Sequence, residues 1–495
     1  MRCFLARGLA VAFGLGLVTA AQGAQAAKDT LVVGMVLEPP FLDPTAGAAS
    51  AIREVTYANI YEGLTRIDEK GQVQPALAES WTVSPDGLIY TFKLHTGVKF
   101  HDGTPFDCSV VKFSYDRAVA PGSVNAQKGL FEPIASTACP NPATAVVTLK
   151  RPAANFLFDM GWGDAVMVSP NSIATDKTNP VGTGPFKFVR WVKGDRVEME
   201  RNPDYWGAQP KLAHVTFRFI SDPSAAMAAL LAGDVDAFPN FPAPEALDAI
   251  RANPRFTVAI GTTSGKTILA LNDARKPFDD ARVRRALAYA INRDELVDAL
   301  ANYGKPIGSH AVPGDFGYVD LTGVYPYDPT KAKALLAEAG VKPGTEMTIL
   351  LPPPAYARRG GEVIAEMLGS VGITVKLVPI EFAQWLDQVF TRSDFDATII
   401  AHTEDRDLDI YARDKYYFNY HNPAYQALYK QYQEAVDPAK QLALAQALQR
   451  TLAEDEPNVF LFSLAKVGVW NAKLRGMWEN TPIPANDVTG IYWVD

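Results

Sequence analysis

The stretch that decides the fold is LAESWTVSPDGLIYTFKLHTGVKFHDGTPF, which runs from Leu77 to Phe106. In its second half the apolar side chains of Tyr90, Phe92 and Leu94 alternate with polar ones. This period of two is typical of a strand that buries one face. Asp86-Gly87 predicts a tight turn before the strand, because glycine tolerates a positive φ. The pattern therefore predicts a β-hairpin.

A second turn and a helix follow the hairpin. Asp102-Gly103-Thr104-Pro105 has the composition of a turn, and Asp107-Cys108-Ser109 is a polar start for a helix that ends near Arg117. Tyr90, Phe100 and Trp81 are expected in the core of this unit, because large aromatic side chains are mostly buried.

The order of residues in the stretch is more specific than its pattern. Residues 78–81 (Ala-Glu-Ser-Trp), 86–94 (Asp-Gly-x-x-Tyr-x-Phe-x-Leu) and 97–106 (Gly-Val-Lys-Phe-His-Asp-Gly-Thr-Pro-Phe) together resemble the signature of family 5 extracellular solute-binding proteins. These are the dipeptide- and oligopeptide-binding receptors of ABC importers. Two further segments, 180–186 and 282–293, resemble the same family. The resemblance implies an α/β fold of the two-lobed periplasmic binding-protein type (type II, the large peptide-receptor type), with an inserted accessory domain.

The length of 495 residues agrees with several domains, each with its own core. Following the family, lobe I is expected to comprise residues 28–59, 178–262 and 475–495. The accessory domain is expected at 60–177, inserted in lobe I, and lobe II at 263–474.

The first 26 residues have the features of a secretory signal peptide. Arg2 and Arg7 give a basic start, Leu9–Val18 is apolar, and Ala24-Gln25-Ala26 is a small-x-small cleavage site. The apolar run is too short to span a bilayer. The sequence therefore predicts a soluble protein of the periplasm.

The net charge excludes some partners. Residues 1–26 contain two arginines and no acidic residue, so their removal changes the formal net charge from −8 to −10. An acidic, evenly patterned chain makes nucleic acid and anionic membrane surfaces unsuitable partners. The resemblance implies instead the permease subunits of an ABC transporter in the inner membrane, contacted by a monomeric receptor.

Two cysteines, Cys108 and Cys139, remain after removal of the signal. In an oxidising compartment such a pair forms a disulfide or stays as separate packed thiols. We predict one disulfide, which requires Cα atoms closer than about 7 Å.

Several elements are predicted outside the hairpin region. The segment 261–267 is expected to cross between the lobes, with a strand at 268–271. Residues 280–303 are expected to form one long helix whose arginines lie on a solvated face. The strands 347–351 and 374–378 flank a helix, which predicts a parallel pair, and two separate late strands are expected at 459–462 and 466–470.

The sequence lacks the motifs of common catalytic sites. The six histidines form no His-x-x-x-His or His-Glu-x-x-His pair, and no Gly-x-Ser-x-Gly elbow occurs. No enzyme and no cofactor are predicted. A metal held by His402 and Glu404 is a minor alternative.

The segment 400–420 carries the most specific expectation about the ligand. In peptide-binding relatives a strand here ends in a tryptophan, and an aspartate three residues later binds the α-ammonium group of the ligand. Aligned on 395–397, His402 takes the place of the tryptophan and Asp405 that of the aspartate. Asp405 is therefore expected to anchor a cationic group, since such charge-assisted hydrogen bonds are strong. The alternative is a solvated acidic loop formed by Glu404, Asp405, Asp407 and Asp409 together with Arg406.

Because the tryptophan of peptide-binding relatives is absent, the sequence does not restrict the solute to peptides. The predicted ligand-binding residues are Leu37, Glu38, Pro39, Pro40, Phe41, Tyr61, Gly182, Trp385, His402, Thr403, Glu404, Asp405 and Arg406. A peptide-like or other small polar solute is expected, captured by hinge closure and delivered to the permease. An opine, an amine or a sugar is the alternative within this fold, and a secreted hydrolase is the alternative from another class.

Overall fold

The computed structural model describes residues 28–47, 49–300 and 304–494 of the chain. The predicted signal peptide, residues 1–26, lies outside the described residues. Within those ranges, every helix is too short or too polar to cross a membrane.

The strands of the described residues are numbered in chain order: β1 (Thr30–Met35), β2 (Thr65–Ile67), β3 (Val73–Pro75), β4 (Ala78–Val83), β5 (Ile89–Leu94), β6 (Ile134–Asn141), β7 (Thr144–Leu149), β8 (Phe186–Val192), β9 (Arg196–Arg201), β10 (His214–Phe219), β11 (Ala237–Phe238), β12 (Phe256–Leu271), β13 (Gly304–Pro306), β14 (Thr345–Leu351), β15 (Ile373–Pro379), β16 (Ala397–His402), β17 (Asn458–Asn471), β18 (Leu474–Arg475) and β19 (Tyr492–Trp493).

The α-helices are α1 (Ser50–Thr56), α2 (Cys108–Val119), α3 (Phe156–Asp159), α4 (Pro223–Ala232), α5 (Leu247–Arg251), α6 (Ala281–Ala290), α7 (Arg293–Ala299), α8 (Pro329–Glu338), α9 (Ala355–Ser370), α10 (Phe382–Trp385), α11 (Pro423–Glu434) and α12 (Pro438–Asp455). A π-helical turn, Leu386–Thr391, continues α10.

One sheet runs through the molecule, in the order β15-β14-β16-β12-β17-β11-β1-β10-β9-β8, with β13 beside β17. The two longest strands, β12 and β17, pair with each other on both sides of a break in their register. Before the break Thr262 pairs with Ala465, and after it Lys266 pairs with Ser463, so three residues of β12 lie opposite a single residue of β17. Such a bulge bends and twists a strand pair. The break divides the sheet into a first half (β1 and β8–β11) and a second half (β14–β16).

Each half of the sheet has its own core. In the first half Leu31, Val33 and Phe217 belong to one buried cluster. In the second half Ile349 and Ile399 belong to another. The predicted two-lobed α/β fold is confirmed, and β12 contains the predicted crossing segment. The predicted domain boundaries stay a prediction.

A separate four-stranded sheet, β4-β5-β7-β6, contains the hairpin region. Phe92 and Leu94 are buried as predicted, and Trp81 pairs with Phe92 across the hairpin. The side chain of Asp107 accepts a hydrogen bond from the backbone N–H of Ser109 and so caps α2. Cys108 and Cys139 form the predicted disulfide, with a Cα–Cα distance of 5.6 Å.

The predicted long helix 280–303 is wrong, because it is two helices. Ile291 has an extended backbone, and the side chain of Asn292 accepts a hydrogen bond from the N–H of Glu295, which starts α7. The apolar stripe continues across the break, so periodicity alone does not reveal the Asn cap. Residues 301–303 lie outside the described part.

The predicted solvated arginine face is also wrong for two of its arginines. Arg284 and Arg293 are both 8% exposed. Arg284 donates to the carbonyls of Glu456 and Phe278, and Arg293 donates to the carbonyl of Phe460. These hydrogen bonds to backbone carbonyls give the buried guanidinium groups the partners that they need, which explains their burial.

Two predictions about strands have different outcomes. The parallel β-α-β unit is confirmed, because β14 and β15 pair in parallel from Thr345 and Ile373 onwards, with α9 between them in sequence. The two late strands are one strand, β17, because Ser463–Ala465 carry the pairing across the register break.

Candidate ligand-binding site

A cavity of about 550 Å³, here called the interlobe cavity, lies where the two halves of the sheet meet. The first half contributes residues 34–37, which are the end of β1 and the two residues after it, together with residues of α1 and the segment 481–486. The crossing strands contribute 263–265 and 464–466, and the second half contributes Thr403 and Glu404. A ligand in this cavity contacts both halves at once.

The segment 479–481 is fixed against the crossing strand by close backbone packing. A Cβ atom on Gly261 would lie 1.8 Å from the carbonyl oxygen of Glu479, so this position admits only glycine without a shift of the backbone. Beside it, the N–H of Thr262 donates to the side chain of Asn480 at 2.9 Å, and the N–H of Thr481 donates to the carbonyl of Thr262 at 2.8 Å. The wall of the cavity that includes Thr481 is therefore attached to β12.

Charged groups of both signs line the interlobe cavity: Arg53 and Glu54 of α1, Lys466 of β17 and Glu404 after β16. Arg53 is buried and lies 3.3 Å from the carboxylate of Asp164. Glu404 is exposed. The cavity can thus bind a solute that carries an anionic and a cationic group.

Burial shifts the titration of two of these groups. The pKa of Lys466 is lowered to about 8, mainly because its side chain is removed from water, while Glu54 and Glu69 act in the opposite direction. The pKa of Glu54 is raised by burial, and hydrogen bonding to Ser50 together with the charges of Arg53 and Lys466 opposes this rise.

The loop after β16 is held to the crossing strand by three contacts. The hydroxyl of Ser264 donates to the carbonyl of Thr403 at 2.9 Å, and the ammonium of Lys266 donates to the carbonyl of Glu404 at 2.5 Å. The same ammonium lies 2.7 Å from the carboxylate of Asp407. Because Lys266 is only 1% exposed, this ion pair is shielded from water.

Behind the loop lies a buried polar network. His310 Nε2 lies 3.0 Å from the second carboxylate oxygen of Asp407, and His402 Nδ1 lies 3.8 Å from it. The other ring nitrogens contact the hydroxyls of Tyr411 and Tyr417, at 3.0 and 2.9 Å.

The ligand atoms of His310, His402 and Asp407 lie within 4.8 Å of one another, close enough for a metal ion. Burial and the neighbouring His310 lower the pKa of His402 to about 3, so its ring is neutral. The Lys266 ammonium on Asp407 opposes a second cation at this point, and the network already satisfies these groups. Asp407 therefore does not belong to a solvated acidic loop, and that alternative is wrong for this residue.

Residues 72–424 match the middle region of the bacterial extracellular solute-binding proteins, family 5. The chain belongs to this family.

Relatives of this family 5 protein extend the match over nearly the whole chain. The glutathione-binding protein GsiB of Shigella dysenteriae is 31% identical over 490 residues, which is 94% of this chain and 95% of that protein. The structure of HbpA2 from Haemophilus parasuis has a TM-score of 0.86 at 24% identity, and it covers 94% of this chain and 100% of its own. The periplasmic binding protein AgaA from A. tumefacien R10, in complex with agropinic acid, has a TM-score of 0.76 at 26% identity, and it covers 94% of this chain and 99% of its own. The family 5 protein is the solute-binding component of an ABC importer.

Three of the predicted ligand-binding residues line the interlobe cavity: Leu37, Thr403 and Glu404. They come from both halves, and Leu37 is 61% exposed. The structure thus brings together the loop after β1 and the loop after β16.

The other predicted residues of the first half lie apart from the cavity lining. Glu38 accepts hydrogen bonds from the indole N–H of Trp191 and the backbone N–H of Gly194. Tyr61 is fully buried in the core of the first half. Of the remaining residues, Pro39 is buried and Pro40 is exposed. The ring of Phe41 lies 5.1 Å from the Lys177 ammonium. Gly182 packs on the backbone carbonyl of Ile60.

In the second half four predicted residues lie outside the cavity lining. The indole N–H of Trp385 donates to the hydroxyl of Thr398. His402 belongs to the buried network, and Arg406 stacks on the ring of Phe158 at 3.8 Å. Asp405 has one buried carboxylate oxygen with no hydrogen-bond partner among the described residues. Burial raises the pKa of Asp405 well above its usual range.

Sequence reasoning missed Arg53, Glu54, Trp162 and Lys466, which line the cavity. Adjacent charged residues such as Arg53 and Glu54 are common in short helices, so the sequence of α1 did not indicate a ligand-binding role. Lys466 did offer one, because a lysine inside the apolar run LFSLAKVGVW is unusual unless it has a partner.

Proposed function

We propose that this protein captures a small peptide-like solute in the interlobe cavity and delivers it to the permease of an ABC importer. The observation that carries the proposal is the cavity itself, which lies between the two halves and presents Arg53 and Lys466 together with Glu54 and Glu404. Its volume of about 550 Å³ lies within the range of about 300–1,000 Å³ that is typical of small-ligand sites. A peptide-like solute carries both signs of charge and matches this lining.

The relatives support this class of solute. GsiB, named as glutathione-binding, is similar over almost its whole length, and glutathione is a tripeptide. The complex of AgaA with agropinic acid favours an opine as the second candidate. Amines and sugars lack one or both of the charges that the cavity matches.

The way in which β12 and β17 connect the two halves of the sheet favours hinge closure. The two halves are joined through β12 and β17 at the register break, so a change of a few backbone angles there can move one half against the other. Closure brings the exposed Leu37 and Glu404 onto the solute from opposite sides. The solute stabilises the closed form because it makes contacts there that the open form lacks.

The remaining parts of the proposal concern location and partners. We infer secretion by the N-terminal segment, work in the periplasm as a monomer, and docking of the closed form on inner-membrane permease subunits. Binding requires no covalent step and no cofactor.

The experiment is isothermal titration of the refolded protein with a panel of solutes: glutathione, dipeptides, tripeptides, an opine, an amine and a sugar. We expect saturable one-to-one binding of a peptide-like member. The variant Thr403→Trp fills the cavity and should abolish binding, whereas Thr96→Trp, on an exposed turn, should not. Hydrolysis of a panel member, or equal binding by Thr403→Trp, would contradict the proposal.

A further inference from the structure

Two buried lysines lie on the two crossing strands, and they differ in their partners. Lys266 of β12 is paired with Asp407 at 2.7 Å. Lys466 of β17 is only 5% exposed, yet no carboxylate of the described residues lies within 4 Å of its ammonium. Its hydrogen-bond partner is the backbone carbonyl of Trp478, at 2.8 Å. A buried ammonium without a counter-ion costs folding free energy, so its presence in the wall of a cavity indicates an anion that arrives from outside.

Glu54 is the complementary case on the same cavity. It lies on α1, it is partly buried, and no lysine, arginine or histidine nitrogen of the described residues lies within 4 Å of its carboxylate. Glu54 and Lys466 are close enough to influence each other's charge, but they form no direct ion pair. Lys466 and Glu54 face the same cavity without pairing with each other. They can therefore bind a ligand group that carries both a negative charge, for Lys466, and a positive charge, for Glu54.

We infer that Lys466 and Glu54 together bind an amino-acid head group, in which an ammonium and a carboxylate are attached to one carbon atom of the solute. Lys466 donates to the carboxylate, and Glu54 accepts from the ammonium. This inference rests on the proposed function and narrows its solute class. It selects γ-glutamyl peptides and other solutes with a free amino-acid end, and it disfavours ordinary α-linked peptides, whose terminal ammonium has no adjacent carboxylate.

Neighbouring groups agree with these roles. Glu69 and Glu54 are the acidic groups that act on Lys466, and neither is in contact with it, so the ammonium keeps its capacity for an anionic partner. Arg53 is paired with Asp164 and contributes positive potential from the same helix as Glu54. The amides of Asn240 and Asn486 line the same cavity and can bind the peptide part of the solute.

The test compares glutathione, which is γ-linked, with its α-linked isomer of identical mass and composition, by isothermal titration calorimetry. Wild-type protein should bind glutathione at least about tenfold more tightly than the isomer. Glu54→Gln and Lys466→Met should each weaken glutathione binding by about 30-fold or more, since each leaves a charged ligand group unpaired, and each should reduce the preference between isomers. Glu79→Gln and Lys112→Met remove exposed charges outside the cavity lining and should keep both the affinity and the preference.

The melting temperature of the ligand-free protein distinguishes a structural role of Lys466 from a role in solute binding. We expect the melting temperature of ligand-free Lys466→Met to equal or exceed that of wild type, because an unpaired buried charge is removed. Equal affinity of wild type for the two isomers, or a preference that both variants retain, would overturn the inference, while the proposed function stands if a panel solute binds. Wild-type protein that binds no member of the panel would overturn the proposed function itself.

Discussion

The ammonium of Lys266 lies 2.7 Å from the carboxylate of Asp407, and both side chains are buried between the crossing strand β12 and the loop after β16. The same ammonium donates to the carbonyl of Glu404, a residue of the cavity wall. Lys266 therefore positions the part of the second half that faces the solute.

Substitution Lys266→Met should destabilise the protein by about 3–5 kcal/mol, because it leaves the carboxylate of Asp407 buried without its cation. Urea unfolding followed by circular dichroism measures this change. The matched control is Lys466→Met, which removes the other buried crossing-strand lysine and should not lower the free energy of unfolding. Equal destabilisation by the two variants would refute the assignment of different roles.

The disulfide that joins α2 to the four-stranded sheet should stabilise the fold without affecting solute binding. Replacement of Cys108 and Cys139 by serine should cost about 3 kcal/mol, since the bond closes a loop with a sequence separation of 31 residues. Solute affinity at 25 °C should remain within about twofold, because neither cysteine lines the interlobe cavity. A large loss of affinity in the folded double variant would show that this sheet is coupled to the cavity.

Gly182 was predicted from the family resemblance as a ligand-binding residue, and the structure suggests a packing role. A Cβ atom at this position would lie 1.9 Å from the carbonyl oxygen of Ile60. Gly182→Ala should therefore destabilise the protein by more than about 2 kcal/mol through overpacking. Gly122→Ala is the matched control, because nothing lies within 4 Å of its added Cβ atom. Similar urea midpoints for both variants would argue against the packing role.

Asp405 and Glu54 are rival partners for the solute's ammonium. We expect Asp405→Asn to weaken solute binding much less than Glu54→Gln, because Glu54 lines the cavity and Asp405 is buried beside it. The same substitution should not lower stability, since one oxygen of Asp405 has no hydrogen-bond partner among the described residues. If calorimetry shows the larger loss for Asp405→Asn, the ammonium anchor predicted from the sequence is correct.

The pH dependence of binding should report Lys466. Its pKa in the free protein is lowered to about 8, and a bound carboxylate would raise it, so the solute binds the protonated form more tightly. The affinity should therefore fall by up to about tenfold per pH unit as the pH rises above 8, and it should also fall at acidic pH, where Glu54, whose pKa is raised by burial, takes up a proton. The comparison variant Lys466→Arg, whose side chain stays charged, should lose affinity less steeply over the same range, because only the solute's own ammonium then loses its proton. A wild-type profile no steeper above pH 8 than that of Lys466→Arg would exclude this role.

The sequence predicted those features that depend on neighbouring residues. The hairpin around Tyr90, the Asp107 cap and the disulfide follow from local patterns or from a count of cysteines, and the structure has all three. The break at Asn292 was missed because an apolar stripe runs through it. Arg284 and Arg293 each donate to a carbonyl more than 160 residues away along the chain, and no local pattern shows these long-range contacts.

The candidate site was predicted only in part, for the same physical reason. Leu37, Thr403 and Glu404 were predicted because they follow strands where the family has its cleft. Glu54 and Lys466 belong to distant segments that only the fold brings to one cavity. Residues such as Tyr61 and Trp385 belong to conspicuous motifs, yet they serve the core.

Closure of the two halves on a solute is the central claim, and a distance between them tests it most directly. Spin labels on Leu231→Cys in α4 and Leu386→Cys after α10 lie on exposed positions in opposite halves, away from the cavity lining. Double electron–electron resonance should give a shorter mean distance at saturating solute than without it, and Thr403→Trp in the same labelled background should show no change. An identical distance distribution with and without a solute that calorimetry shows to be bound would contradict the account.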